Sequence, residues 1–154
     1  MGVAGCGKSA VATRAAARLG LPLIEGDDFH SPDSVAQMRA GQPLTDDDRA
    51  AWLDRLVLEL AAHPAGAVLT CSALKRAYRD RLRAASPGLR FAFLQLTPEV
   101  ALARAQGRAG HFFPAALIDS QFATLEPPLG EPGVQMLDAT ASLDDLEAAI
   151  ADRW

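Results

Sequence analysis

Gly2-Val3-Ala4-Gly5-Cys6-Gly7-Lys8-Ser9 opens the chain and fits the spacing G-x-x-x-x-G-K-[ST] of a phosphate-binding loop. Glycine permits backbone conformations and a close approach that a Cβ would block. Successive N–H groups can then line a concavity for phosphate oxygens. A helix starting near Lys8 would aim its positive dipole end at the same anion. In that arrangement Lys8 reaches the β- and γ-phosphates, and the Ser9 hydroxyl ligates Mg²⁺. A chance glycine-rich turn is the competing account, but it explains neither the Lys-Ser pair nor the helix behind it. Such a loop is normally delivered by a buried strand in mid-sheet, whose backbone groups need partners. Only Met1 precedes Gly2, so an apolar run of about five or six residues is expected upstream.

At 154 residues the chain suits one domain, able to bury about two-thirds of its unfolded surface. The 49% apolar content reads as soluble and globular, and a net charge of −4 gives no support to a basic nucleic-acid-binding face. No apolar run approaches transmembrane length and nothing reads as a secretory signal, so no membrane partner is expected. Two cysteines, Cys6 and Cys71, are too few for a disulfide framework, and a reducing cytoplasm is the expected setting. A redox link between them is conceivable, but a pair of small buried thiols is the plainer expectation. Of the 15 Lys and Arg, only Lys8 and Lys75 are lysine. A chain that so favours Arg and still keeps two compact ammonium groups marks both positions as candidates for chemistry.

The pattern along the chain alternates strands with helices. Residues 8–19 read as an Ala-rich helix stopped by Gly20. Leu21 to Glu25 suits a short buried strand, and a loop runs through Gly26-Asp27-Asp28-Phe29-His30. A short helix is expected over Asp33 to Ala40, then a helix from Asp46 to about Ala62 capped by Thr45. Trp52, Leu53, Leu56, Val57 and Leu60 mark the inward stripe of that second helix. Ala67–Cys71 and Phe91–Leu96 read as strands, and the helices after them span Leu74 to Ala85 and Pro98 to Ala105. Gly107 to Pro114 breaks the pattern. A helix to about Leu125, a Pro/Gly-rich loop, a strand over Val134–Leu137 and a closing helix capped by Ser142 complete the chain. This alternation predicts α/β architecture, with right-handed βαβ units around a parallel sheet. In such sheets ligands bind beyond the carboxyl ends of the strands, so the polar clusters after each strand should converge on one cleft.

The first cluster is Glu25, Asp27, Asp28 and His30. A carboxylate there can take the proton of a substrate hydroxyl during phosphate transfer, or hold Mg²⁺ through water. Turn formation is the plainer role for either Asp, and a lone His is more often structural. Asp46, Asp47 and Asp48 suit a helix N-terminus, which accounts for them fully. Arg49 opposes that dipole and would be better placed holding a substrate carboxylate, with an ordinary ion pair as the equal alternative. Lys75 and Arg79 are four residues apart and share a helix face. Two cations aimed at a phosphate-holding cleft imply an anionic second substrate. Arg104 and Arg108 bracket the segment leading to Gly110-His111-Phe112-Phe113. From a movable flap they could stabilise the charge of a transferring phosphoryl group and exclude water.

Taken together, GVAGCGKS, EGDDFH, GQPLTDDDR, CSALKRAYRDRLR, GHFF and QFATLE resemble the small gluconokinases, relatives of shikimate and nucleoside-monophosphate kinases. The matching stretches span residues 2–126 in the family's order. The resemblance implies a P-loop kinase fold of three α/β/α layers in a single domain over residues 1–154. It further implies a substrate-binding helical segment at about 28–62, a lid at about 104–124, and often a homodimer. The implied reaction is ATP-dependent phosphorylation of D-gluconate on its terminal hydroxyl, giving 6-phosphogluconate. By position, Gly2, Gly5, Cys6, Gly7, Lys8, Ser9 and Ala10 would contact ATP, with Ser9 on Mg²⁺. Asp27 would be the base. His30, Arg49, Lys75, Arg79, His111 and Gln121 would line the gluconate site, and Arg104 and Arg108 would act from the lid. The adenine would lie near Asp138 to Ser142. Glu25 stands where related kinases often have Asp. The rival readings are a kinase for another small hydroxy acid or a nucleotide, and a nucleotide-binding protein without catalysis.

Overall fold

The computed structural model describes residues 1–107 and 114–153. Helix α1 (Lys8–Leu19) ends where Gly20 takes a left-handed conformation and its N–H turns back to the last carbonyls. Strand β1 (Leu23–Glu25) runs into a 3-10 turn over Gly26–Phe29. Helix α2 (Pro32–Arg39) is capped by Ser31 and has proline in its first turn. In α3 (Asp46–Ala62), Thr45 caps the Asp48 N–H while the Asp48 carboxylate reaches back to the Thr45 N–H, a complete capping box. The remaining elements are β2 (Val68–Thr70), α4 (Arg76–Ala85), β3 (Phe91–Gln95), α5 (Pro98–Gln106), α6 (Ala115–Thr124), β4 (Val134–Asp138) and α7 (Leu143–Ala151).

Both strand pairings are parallel, β1 with β2 and β3 with β4. The expected sheet is present as these two pairs, with Met1 and Gly2 between them. Leu94 donates its N–H to the Met1 carbonyl at 3.0 Å, and Gly2 donates to the Ser72 carbonyl at 3.2 Å. An apolar slot beside Met1 is lined by Val68 and Leu69 of β2, Phe91 and Ala92 of β3, and Val11 and Ala15 of α1.

Side chains alternate across a strand, and β3 shows what that does here. Phe91 joins a core with Trp52, Leu53, Leu56, Leu60, Tyr78 and Leu82. Ala92 and Leu94 join Val11, Ala15, Leu146 and Ile150 instead. The sheet is thus covered on one face by α3 and α4 and on the other by α1 and α7. A third cluster of Val3, Leu74, Ala101, Ala105 and Ile118 seats α5 and α6 against the phosphate-loop side. Burying each of these large side chains is worth about 1.5–3 kcal/mol. The strand ends β1, β2 and β3 therefore emerge from a rigid block, and their polar exits are what it positions.

Candidate active site

The glycine loop enters α1 in the geometry its sequence requires. Gly5 has φ 82°, and a Cβ there would sit 2.7 Å from the Ala101 carbonyl oxygen, so α5 presses directly on the loop. Lys8 Nζ donates to the Gly2 and Val3 carbonyls at 3.0 and 3.1 Å, which holds the ammonium over the loop. The Ala4 N–H is given to Gln121 Oε1 at 2.7 Å, tying α6 to the loop.

Ser9 in the first turn of α1 faces the exit of β1. Its hydroxyl donates to Glu25 Oε2 at 3.1 Å, and the same oxygen accepts from Thr70 Oγ1 at 2.7 Å. These are hard oxygen donors. Among the described residues no group of three or more His, Cys, Asp or Glu gathers as a metal cage. That donor set fits Mg²⁺, which is commonly held by one or two protein oxygens together with substrate phosphates and water.

The 3-10 turn after β1 is clamped on both sides of one residue. Gly26 donates its N–H to Thr70 Oγ1 at 3.0 Å, and its carbonyl accepts from Trp52 Nε1 at 2.7 Å. A Cβ at Gly26 would lie 2.0 Å from the Thr70 carbonyl oxygen, so only glycine fits. Gly26→Ala is expected to cost about 1–3 kcal/mol by forcing β1 and β2 apart. A lowered urea midpoint with an unchanged m value would register it.

From this clamp Asp27 projects with its side chain 81% exposed, 4.0 Å from His30 Nε2. The His30 ring stacks on Trp52 with centroids 4.6 Å apart and planes 10° from parallel. Burial lowers the His30 pKa below its ordinary value; Asp27 opposes this, and Arg49 and Arg55 add to it. The imidazole is therefore neutral at neutral pH, with a buried Nδ1 that has no hydrogen-bond partner among the described residues. Lys8 and Asp27 both lie near enough to Cys71, at the end of β2, to bias its thiol. Burial dominates there and pushes that thiol up to about 11. Cys6 and Cys71 are both buried free thiols.

Arg49, whose charge acts on His30, is buried in the first turn of α3. Lys75 Nζ donates to both carboxylate oxygens of Asp46, at 2.8 and 2.6 Å, and the Tyr78 hydroxyl donates to Asp46 as well. The bonds from Lys75 and Tyr78 hold the Asp46 carboxyl below the usual carboxylate range. Asp46 and Asp48 thus do more than complement the α3 dipole: one fixes the Lys75 ammonium and the other closes the cap.

Arg79 requires a correction. It shares the α4 sequence face with Lys75 but does not line the cleft. Its side chain is 1% exposed, and its donors go to the Ala73, Leu74 and Glu126 carbonyls and to Glu131. A five-donor guanidinium can satisfy several carbonyls at once, which an ammonium in that place could not. Ala73 sits at φ 45°, a left-handed conformation that costs energy outside glycine. Arg79 secures that turn from behind. Glu126 completes the bracket by accepting the Arg76 N–H at 2.6 Å, capping α4 from a distant loop. The strained turn therefore carries Lys75.

Arg104 is exposed in the last turn of α5. Its charge reinforces the Thr140 bonds that hold the Asp138 carboxyl below its usual range. Arg108 and His111 lie outside the described residues.

Residues 1–128 match the family model described as "AAA domain". A gluconokinase of Gluconobacter oxydans is 50% identical over 83% of this chain and 74% of its own length. The thermoresistant gluconokinase of Escherichia coli is 38% identical over 97% of this chain and 87% of its own length. A crystal structure of a gluconokinase from Sinorhizobium meliloti superposes with TM-score 0.89 at 42% identity, covering 99% of this chain and 89% of that one.

The chain belongs to the gluconokinase family.

In this family member Gly5, Gly7, Lys8, Ser9 and Glu25 lie together at the head of α1, with Asp27 and His30 on the adjoining turn. Arg49 and Lys75 extend the row onto α3 and the start of α4. Gln121 reaches the same loop from α6. Sequence reasoning missed Thr70, Trp52, Tyr78 and Glu126 as contributors. Each acts by bonding across 26 or more residues of chain, a relation that leaves no local spacing to read.

Proposed function

We propose that the chain transfers the γ-phosphoryl group of ATP to the terminal hydroxyl of D-gluconate. The observation that carries this reading is the row of side chains from Lys8 and Ser9 through Glu25, Asp27 and His30 to Arg49 and Lys75. It joins a phosphate cradle to a cationic end suited to a small carboxylate. The P-loop amides and Lys8 hold the triphosphate and meet the charge that develops as the phosphoryl group departs. Ser9 and Glu25 would hold Mg²⁺, which would supply charge neutralisation to the triphosphate. Asp27, exposed at the mouth, accepts the hydroxyl proton. Arg49 and Lys75 hold the acid's carboxylate, with His30 against its hydroxyls; Arg104, Arg108 and His111 act from a lid over about 104–124. Adenine lies near Asp138 to Ser142. A cytoplasmic homodimer completes the reading. It is supported by the family resemblance and by exposed Leu58 and Leu129. Sedimentation equilibrium checks the oligomer.

An acceptor screen tests the activity. ADP release coupled to gluconate, shikimate, other sugar acids and nucleoside monophosphates is expected to be fast with gluconate alone; equal, slow turnover with all of them rejects the reading. Arg49→Ala is expected to raise the gluconate KM at least tenfold while leaving the ATP KM within twofold. A change in thermal stability alone would make Arg49 a structural ion-pair residue.

A further inference from the structure

Thr70 stands at the junction of the Ser9–Glu25 pair and the Gly26 clamp. It is buried at the last position of β2, in register with Glu25 across the parallel pair. Its single hydroxyl makes two bonds: it accepts the Gly26 N–H at 3.0 Å and donates its proton to Glu25 Oε2 at 2.7 Å. A threonine hydroxyl has one proton to give, so accepting from the backbone leaves that proton for the carboxylate. Glu25 Oε2 then receives two hydroxyl protons, from Thr70 and from Ser9.

We infer that Thr70 is a positioning residue for the cation site: its hydroxyl fixes Glu25 so that Ser9 and Glu25 together present a preset oxygen pair to Mg²⁺. The inference rests on the reading above that Ser9 and Glu25 serve the cation. A hydroxyl that ligates a metal must turn a lone pair to it and send its proton elsewhere, and Glu25 Oε2 is where the Ser9 proton goes. With Oε2 engaged by both hydroxyls, Oε1 has no hydrogen bond among the described residues and is left to accept from water in the cation's shell. Thr70 also holds the Glu25–Gly26 peptide, one residue before Asp27, so one side chain registers both carboxylates against the phosphate loop. β-Branching restricts the Thr70 side chain at χ1, which favours Thr over Ser for steadiness while leaving Ser able to make both bonds.

Calorimetric titration of ADP into the 154-residue chain, with Mg²⁺ varied and with Mg²⁺ removed by EDTA, tests this without turnover. Thr70→Val is expected to raise the Mg²⁺ concentration at half-saturation at least fivefold while leaving the ADP Kd in EDTA within twofold. Thr70→Ser is expected to stay within twofold of the parent in both. Glu25→Gln is expected to raise the half-saturation tenfold or more, and Thr70→Val added to it is expected to do little further. An unchanged Mg²⁺ dependence in Thr70→Val overturns the assignment. So does equal impairment in Thr70→Ser, which would make Thr70 a packing residue only. If Thr70→Val does not fold, Thr70→Ala is read by the same criteria. These binding readouts do not involve the acceptor, so a failure of gluconate as substrate and a failure of this assignment are separable.

Discussion

Lys8→Ala is expected to lower kcat by about two to three orders of magnitude while the protein stays folded. The ammonium is held over the glycine loop by the Gly2 and Val3 carbonyls, so it is in place before any phosphate arrives. A preorganised donor aimed at developing charge contributes about 3–4 kcal/mol to the transition state, which is the size of that rate loss. The folded state loses far less. Each of the two hydrogen bonds is worth about 1 kcal/mol net, and the loop remains fixed by α5 against Gly5 and by Gln121 on Ala4. Steady-state kinetics and a melting curve on the same preparation separate the two effects. Near-parental kcat would count against the phosphate-loop assignment. Arginine at position 8 is expected to rescue little, because a planar fork cannot replace a compact, swivelling ammonium between two carbonyls.

The second large effect lies behind the site. Glu131, with its side chain 7% exposed, receives both Arg79 and Arg83, and the bond from Arg79 above all holds its carboxyl at about 2, below the ordinary value of 4.5. Removing one partner of such a buried pair strands the other, at a cost of about 3–5 kcal/mol. Arg79→Met is therefore expected to lower Tm by about 10 °C at this chain length, since it also leaves the Ala73 and Leu74 carbonyls unmet. The pH dependence has a definite sign. The folded carboxyl binds its proton less readily than the unfolded one, so its contribution is fully present above about 4.5 and is lost as pH falls toward about 2. Glu131→Gln should remove this part of the acid sensitivity and flatten the stability curve across that window. Chemical denaturation at several pH values measures it, and an unaltered slope would refute the pairing. The neutral, buried His30 adds acid lability of the same sign at higher pH, as protonation becomes favourable in the unfolded chain first.

Much of this was legible from residues alone, for reasons that differ by element. Helices α1 and α3 could be bounded from sequence because their signals are local: Gly20 stops one and Thr45 with Asp48 starts the other. The phosphate loop was legible because backbone geometry dictates its glycines and chemistry dictates Lys8 and Ser9. Strands β1 and β2 proved shorter than their apolar runs, since hydrophobicity marks burial and only pairing marks a strand. Arg79 shows where periodicity misleads. Spacing of four put it beside Lys75, but α4 begins at Arg76, so Lys75 is a cap residue and the two side chains diverge. Thr70 was invisible for the opposite reason: a lone Thr in an apolar strand reads as β propensity, and its hydroxyl acquires meaning only from the neighbouring strand.

The bracket formed by Arg79, Glu126 and Glu131 bonds to the Ala73–Arg76 turn and to Arg83, and among the described residues makes no hydrogen bond to the glycine loop. The turn that carries Lys75 is consequently fastened from behind by residues 126–131, while Ser72 and Leu74 also join it to the glycine loop, through the Gly2 N–H and the packing on Val3. Exchanging residues 73–79 and 126–131 together for those of a related kinase should therefore cost less stability than exchanging either alone, since a lone exchange breaks the Arg79 and Glu126 bonds between them and should yield a chain that melts early.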